Sequence, residues 1–264
     1  MYAVCLTAGK LLDAIPAGGY CPDMKLIFHG TRGKIEAQSK RHDRHAVLEA
    51  RYLGKGVIID CGENWLGRLD ELRPRAIVIT HAHPDHAWGL AEGAPCPVYA
   101  TREAWETLEE FPIAERRIIE PRRPFTVRGI RFEAFAVQHS IRAPAVGYRI
   151  SAGAATIFYA PDLVYIHERE EALRGCRLYI GDGATVDGQM VRKSEDGQLF
   201  GHTPVRTQLT WCRKEGIPKM IVTHCGSQIV ENEAKGIGDQ VAAYAEERGV
   251  EVEIAHDGLE LILR

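Results

Sequence analysis

The feature that most constrains this sequence is a run of histidine and aspartate directly after an apolar segment. Residues 75–80, RAIVIT, predict a buried strand. The strand leads into HAHPDH, in which His81 and His83 can point to one side while Asp85 and His86 turn into a following helix. Imidazole and carboxylate groups are ligands for Zn, Mn or Fe. The segment therefore predicts a metal site with ligands for two neighbouring ions, and a polar loop without ligands accounts poorly for this spacing.

A second apolar run ends in the same way. Residues 219–223, KMIVT, predict a strand that leads into His224. Predicted strands follow one another closely in the first part of the chain and alternate with helices later. No linker rich in Pro, Gly or Ser divides the chain, so we predict one domain over 24–264, preceded by an extension over 1–23. Histidines at strand ends in both halves indicate a site between two sheets.

Composition narrows the class of protein. The 264 residues include 33 Lys and Arg against 36 Asp and Glu, a net charge of −3. This balance gives no strong field for nucleic acid, although RNA stays open as a partner. No apolar run reaches the ~20 residues that span a bilayer. The seven cysteines are irregularly spaced and predict no disulfide framework. Residues 1–23 lack the pattern of a signal peptide, so we expect a cytoplasmic protein and leave homodimerisation open.

The HAHPDH segment has the H-x-H-x-D-H pattern of the metallo-β-lactamase superfamily, which the chain resembles over 24–264. That superfamily adds a later His, a bridging Asp and a final His at strand ends, and His139, Asp162 and His224 follow predicted strands in this order. The resemblance implies an α/β fold, a four-layer αββα sandwich with a dinuclear site at one edge. It implies two divalent metals, Zn or alternatively Mn, with the ligands His81, His83 and His139 for one, Asp85, His86 and His224 for the other, and Asp162 between them.

The order of motifs resembles that of ribonuclease Z and the related cyclic-phosphate phosphodiesterases. Residues 138–140, QHS, fill the third ligand position, and GHTP at 201–204 contains His202. The resemblance implies that His202 donates a hydrogen bond or a proton to the departing group. In ribonuclease Z this histidine works with a Glu, and here Asp182 lies in the matching stretch, where a turn residue is an equal alternative. We expect Thr203 to cap the following helix, with the next proline at its first position.

These features predict a metal-dependent hydrolase, a phosphodiesterase acting on a small cyclic phosphodiester or an RNA end. Two divalent ions can share a water and lower its pKa toward ~7, which provides hydroxide at neutral pH. Asp85, His202 and Asp182 are the predicted catalytic residues. The long Gly/Pro-rich arm of ribonuclease Z is missing from the sequence between Asp85 and His202, which argues against transfer-RNA processing.

Three alternatives to the phosphodiesterase remain. The first is a hydrolase of a carboxylic ester, lactone or thioester that uses the same metals. The second is a mononuclear iron dioxygenase, and the third is a binding protein that has kept the fold and lost catalysis. A complete set of ligands for two ions argues against the second and the third.

Overall fold

The computed structural model describes residues 22–232 and 235–264. The predicted N-terminal extension lies almost entirely outside these ranges, so its boundary stays a prediction. The strands within the described ranges are β1 (Met24–Gly30), β2 (Val47–Tyr52), β3 (Lys55–Ile59), β4 (Ile77–Val78), β5 (Val98–Ala100), β6 (Arg116–Ile118), β7 (Phe125–Val127), β8 (Ile130–Gln138), β9 (Ala145–Ala152), β10 (Ala155–Tyr159), β11 (Tyr165–Ile166), β12 (Leu178–Asp182), β13 (Met190–Lys193), β14 (Leu199–His202), β15 (Lys219–Thr223), β16 (Glu251–Ile254) and β17 (Glu260–Leu263). The helices are α1 (Leu69–Leu72), α2 (Pro84–Ala87), α3 (Arg102–Thr107), α4 (Arg169–Leu173), α5 (Val205–Glu215), α6 (Ser227–Val230) and α7 (Ile237–Glu246).

Most strands belong to two mixed sheets. The first has the order β17-β1-β2-β3-β4-β5-β6, and the second has the order β11-β8-β9-β10-β12-β15-β16 with β7 beside β8. Strands β1 to β3 and β8 to β10 are antiparallel, whereas β3 to β6 and β10, β12, β15 and β16 are parallel. Parallel strands end at the same edge of their sheet, so the residues that follow them are brought together.

Three separate apolar cores define the layers. The central core lies between the sheets and contains Phe28 from the first and Phe132 and Tyr148 from the second. One outer core packs α3, through Trp105, against the first sheet. The other packs α5 and α7 against the second sheet, with Leu209 among its buried residues. Helices, sheet, sheet and helices therefore follow one another, which is the four-layer arrangement that the resemblance implied.

Two predicted elements differ from the observed ones, whereas the chain around Gly129 forms a hairpin of β7 and β8, with Gly129 at a φ of 87° in the turn. The strand predicted over 75–80 pairs only through β4, because the chain then turns to carry Thr80 and the histidines that follow. The expected cap at Thr203 is wrong: α5 begins at Val205 after an extended Pro204, with no side-chain cap.

Two further observations concern the apolarity of the helices and the state of the thiols within the described ranges. No helix there has the length and apolarity that a bilayer span requires. The thiols of Cys61, Cys96, Cys176 and Cys212 are buried and free. Cys225 lies wholly buried in the outer core of the second sheet.

Candidate metal centre

The predicted site residues converge at one edge between the two sheets. His81 lies just beyond β4 of the first sheet, while His139, Asp162 and His224 lie just beyond β8, β10 and β15 of the second. The sheets are joined at this edge by two hydrogen bonds to the chain before His81. Val146 N donates to Thr80 O over 3.1 Å, and Tyr148 Oη donates to Ile79 O over 2.8 Å. The central core thus fixes the two groups of strand ends relative to each other.

The first ligand group consists of His81, His83, His139 and Asp162, with one potential ligand atom from each within 4.8 Å of the others. His83 Nδ1 lies 3.0 Å from His81 Nε2 and 3.2 Å from His139 Nε2. Asp162 Oδ2 lies 3.4 Å from His81 Nε2 and 3.3 Å from His139 Nε2. Three imidazoles and one carboxylate therefore point at a common position.

The second ligand group consists of Asp85, His86, Asp162 and His224, and all four are buried. His86 Nε2 lies 3.2 Å from Asp162 Oδ2 and 3.4 Å from Asp85 Oδ2. His224 Nε2 lies 3.1 Å from Asp85 Oδ2, and its Nδ1 lies 2.8 Å from Asp162 Oδ1. Asp162 belongs to both groups, so its carboxylate stands where a bridging ligand is required.

The donor set fits divalent ions. His86 Nε2 and Asp162 Oδ1 are buried and make no hydrogen bond within the described part of the chain. A buried polar atom without a partner is costly unless something else satisfies it. Imidazole nitrogens and carboxylate oxygens in sets of four are typical ligands of Zn²⁺. The two groups therefore have both the chemistry and the unsatisfied atoms that a pair of metal ions would use.

Asp60, which the sequence analysis did not select, orients ligands of both groups. His86 Nδ1 donates to Asp60 Oδ2 over 2.9 Å, which leaves Nε2 facing the site. Thr80 donates to Asp60 through its backbone N over 2.8 Å and through its hydroxyl, and that hydroxyl accepts from His81 Nδ1 over 3.0 Å. Such partners fix the tautomer and the ring orientation of a ligating histidine. Asp60 could have been selected from the sequence because it directly follows the apolar run GVII, just as several ligands directly follow apolar strands.

The hairpin of β13 and β14 brings His202 to the first ligand group. His139 Nδ1 donates to Gly201 O over 3.1 Å, and Gly201 N donates to His139 O over 2.8 Å. These bonds orient His139 and place the ring of His202 beside it, with 5.1 Å between the ring centroids. The backbone of His139 therefore holds His202, the last residue of β14, at the site.

His202 and Asp182 form a direct pair. His202 Nδ1 donates to Asp182 Oδ2 over 2.8 Å. Asp182 also accepts from Leu163 N over 3.1 Å and from Ala184 N over 2.8 Å, so the turn role and the pairing role coexist. Burial alone would lower the pKa of His202, but the charge of Asp182 and its hydrogen bond, with Asp162 nearby, raise that pKa above its usual value. The imidazole therefore stays protonated to higher pH than a free histidine.

Gln208 on α5 holds this pair in place and was also missed by the sequence analysis. Its Oε1 accepts from Asp182 N over 2.9 Å and from Tyr179 Oη over 3.0 Å. Its Nε2 donates to Asp182 O over 2.7 Å and to Thr203 O over 3.1 Å. The amide thus links the end of β12 to the chain just beyond His202. A glutamine within a helix has no local sequence signal for this role.

Charge and backbone geometry further define the second ligand group. Burial would raise the pKa of Asp85, but the charges of His86 and His224 hold it well below its usual value. Burial also opposes protonation of His224, yet Asp162 and the other carboxylates raise the pKa of His224 well above its usual value. His224 has a φ of 52°, in the left-handed region that costs a non-glycine residue free energy. This conformation directs its ring back toward Asp85 and Asp162.

A cavity of about 280 Å³ opens onto both ligand groups. Its lining includes His83, Asp85, His139, His202 and His224. Further lining residues come from three loops, the start of α2 and the start of β13: Gly33, Lys34, Ile35, Pro84, Ala184, Met190 and Gly226. The exposed side chains of Lys34 and Met190 lie at its mouth. All nine residues predicted for the site therefore meet in one place, while their individual roles stay predictions.

A family sequence pattern matches part of this chain, and solved structures share its fold over about nine tenths of its length. The sequence pattern of the family described as Beta-lactamase superfamily domain matches residues 55–225, which is more than half of the chain. The chain belongs to the β-lactamase superfamily. No curated protein sequence is significantly similar to it.

Solved structures with the metallo-β-lactamase fold are similar over nearly the full chain. YhfI from Bacillus subtilis has a TM-score of 0.72 and 17% identity, covering 91% of this chain and 99% of its own. A diphosphatase of the PhnP family has a TM-score of 0.65 and 21% identity, covering 90% and 97%. The short form of human tRNase Z has a TM-score of 0.63 and 20% identity, covering 91% and 99%. The predicted superfamily and the four-layer metallo-β-lactamase fold are confirmed.

Proposed function

We propose that this protein is a metal-dependent hydrolase that binds two divalent ions and cleaves a small phosphodiester. The observation that carries the proposal is the sharing of Asp162 by two ligand groups that open into one cavity. His81, His83 and His139 would hold one ion, Asp85, His86 and His224 the other, and Asp162 both. Zn is the expected metal because the ligands are mainly imidazoles, and Mn can occupy the same donors.

The bound ions would supply an acidified water and positive charge beside the phosphoryl oxygens. The chain's own contribution is the pair of His202 and Asp182. Asp182 holds the His202 ring by its Nδ1, so that Nε2 is left to donate to the oxygen of the departing group. A raised pKa keeps this imidazole protonated at higher pH than a free histidine. His202 thereby serves as the general acid.

The size of the cavity supports a small substrate or the end of a longer one. About 280 Å³ is at the lower end of the range for ligand pockets. A cyclic phosphodiester or a terminal nucleotide fits this space better than the body of a folded RNA. Relatives of this fold include a diphosphatase and a tRNase Z, and both names concern phosphate chemistry. Buried free thiols such as Cys212 fit the reducing conditions of a cytoplasm.

The test is turnover after defined metal loading. The protein is freed of metal, loaded with Zn or Mn, and assayed on bis-p-nitrophenyl phosphate beside a panel of chromogenic carboxylic esters, a lactone and a thioester. We expect metal-dependent hydrolysis of the phosphodiester and at most weak turnover of the others. Hydrolysis of the carboxylic substrates alone would replace the proposal by the ester, lactone or thioester alternative. Saturation at one ion per chain would refute its dinuclear part.

A further inference from the structure

The loop that follows β1 lines part of the cavity. It is hydrogen-bonded to the residue after His224, just beyond β15. Gly33 N donates to Cys225 O over 3.0 Å, and Cys225 N donates to Thr31 O over 2.7 Å. Gly33 packs closely against the imidazole of His224, since a β-carbon added to Gly33 would lie only 3.0 Å from the nearest ring atom. The next residue, Lys34, is therefore placed at the cavity mouth by backbone contacts to the site itself.

Among the residues that the structure describes, Lys34 is the one that lines this cavity with a lysine or arginine side chain. The other ionisable side chains of the lining are the carboxylates Asp85 and Asp162 and the histidines of the site. The lysine side chain is 53% exposed, and among the described residues it makes one long ion pair, of 3.5 Å to Glu63 Oε1, which is itself 43% exposed. Exposed pairs of this kind contribute little, so the ammonium group is available to another anion.

Apolar groups occupy the rest of the mouth. Ile35 follows Lys34 on the same loop, and Met190 at the start of β13 lines the same cavity with 42% of its surface exposed. A substrate in this cavity would meet a positive charge and apolar surface at the mouth and the ligand groups at the bottom. A phosphodiester with an organic substituent has this distribution of charge, whereas a carboxylic ester carries no charge at its reacting group.

We propose that Lys34 is a specificity-determining residue, which favours an anionic phosphodiester over a neutral carboxylic ester by pairing with a phosphoryl oxygen, and that Glu63 competes for it. This inference rests on the proposed function and deepens it, because it assigns the choice between two substrate classes that share the same metal ligands. The pairing strengthens binding of the diester in both the ground state and the transition state. Its loss should therefore appear mainly in KM and in anion affinity.

The experiment compares Lys34→Gln, Lys34→Arg and Glu63→Gln with the unsubstituted protein at equal metal loading. Lys55→Gln is the matched control, because Lys55 is exposed at the start of β3 and does not line the cavity. The substrates are bis-p-nitrophenyl phosphate and p-nitrophenyl acetate, and affinity for inorganic phosphate is measured by calorimetry. We expect Lys34→Gln to lower kcat/KM on the diester by about threefold to fivefold, in line with the loss of a partly exposed charge pair, with less than a twofold change on the ester.

Three further variants test whether the charge of Lys34 causes the effect. Lys34→Arg should restore diester turnover, Lys55→Gln should change neither substrate, and Glu63→Gln should raise diester kcat/KM about twofold to threefold by freeing the lysine. Phosphate affinity should fall with Lys34→Gln in parallel with diester turnover. Raising the ionic strength should reduce the difference between the unsubstituted protein and Lys34→Gln.

The outcomes separate this inference from the function on which it rests. An unsubstituted protein that never cleaves the diester refutes the proposed function, and phosphate binding then decides the role of Lys34 alone. Diester turnover and phosphate affinity that Lys34→Gln leaves unchanged would overturn the inference while the proposed function stands. Equal losses on diester and ester would also overturn it, because a general disturbance of the loop near His224 affects both substrates alike.

Discussion

The two ligand groups share Asp162 but differ in charge and in contact with solvent. The first has three imidazoles and one carboxylate, and His83 in it is only partly buried. The second has two imidazoles and two carboxylates, and all of its members are buried. A divalent ion gains more from two anionic ligands than from one. One short segment, HAHPDH, therefore contributes residues to two ligand groups that differ in charge and burial.

The groups also differ in how their histidines are oriented. In the second, His86 bonds directly to the carboxylate of Asp60. In the first, His81 reaches Asp60 only through the hydroxyl of Thr80, and His139 bonds to the backbone carbonyl of Gly201 on the β13–β14 hairpin. His86 of the second group is therefore held by the buried residue that follows β3, whereas His139 of the first group depends on a hairpin outside both sheets. Substitutions at the site should affect the two groups to different extents.

Asp162→Ala should weaken metal binding by both ligand groups at once, because Asp162 belongs to both. The carboxylate lies within 3.4 Å of ligand nitrogens from either group. We expect elemental analysis to show less than one ion per chain, and turnover to fall by more than about 10³-fold because both ions lose a ligand. Asp70→Ala, on the exposed side of α1, is the control and should keep both ions. Retention of two ions by Asp162→Ala would contradict the bridging assignment.

His202→Ala should leave both groups loaded and affect only the reaction. Removing a general acid costs ~10²–10⁴ in turnover. The loss should be smaller on a diester with a good leaving group than on one with a poor leaving group, since the former needs little protonation. Equal losses on both diesters at equal metal content would exclude the general-acid role. Unchanged turnover would make His202 a structural residue of the hairpin.

Asp60→Asn should weaken the second group more than the first. The asparagine amide can accept a hydrogen bond but carries no charge to stabilise the His86 ring, whereas His81 still has its bond to Thr80. Loss of such a partner costs about 10–100-fold in metal affinity. Competition with a chromogenic chelator measures the two affinities separately. Equal weakening of both sites would show that Asp60 acts on them alike.

Metal removal should proceed in two steps in the unsubstituted protein. The first group, with one carboxylate fewer, should lose its ion to a chelator at about tenfold lower chelator activity than the second. His83→Ala should abolish the early step and leave the later one, because His83 belongs to the first group alone. A single step in the unsubstituted protein would remove the asymmetry inferred from charge and burial.

The smallest expected effect concerns His45, a buried histidine that is influenced by the charge of Asp85. It should make the stability of the metal-free protein depend on pH. Burial lowers the pKa of His45 to about 4, from an unfolded value near 6.5. The folded state thus binds fewer protons, so this stability is present above pH 6.5 and is lost as pH falls toward 4. We expect an effect of about 1–2 kcal/mol.

Thermal unfolding of metal-free protein between pH 7 and 4 measures this dependence. His45→Gln should flatten it, although glutamine will change packing at every pH. His167→Gln, at an exposed position, is the control and should leave the slope unchanged. An identical slope for His45→Gln and the unsubstituted protein would exclude His45 as its source.

Local sequence determined most of the ligand set. His81, Asp162 and His224 lie just after strand ends, so the apolar runs before them mark them without knowledge of the fold. Asp85 and His86 lie in α2 but belong to the same HAHPDH segment as His81. The hairpin around Gly129 was equally local, because the turn and both strands lie within fourteen residues of each other. The order of these features along the chain was sufficient to predict the superfamily and its four layers.

Only the tertiary structure decided how the supporting residues act. Asp182 and His202 are 20 residues apart in the chain, and Asp60 is 26 residues from His86, yet each pair is in direct contact. The position of Lys34 depends on backbone bonds to Cys225, from the opposite sheet. Such contacts carry no local pattern, because they arise when the central core fixes the strand ends of two sheets against each other. The sequence determines which groups are present, and the packing of the sheets determines which of them meet.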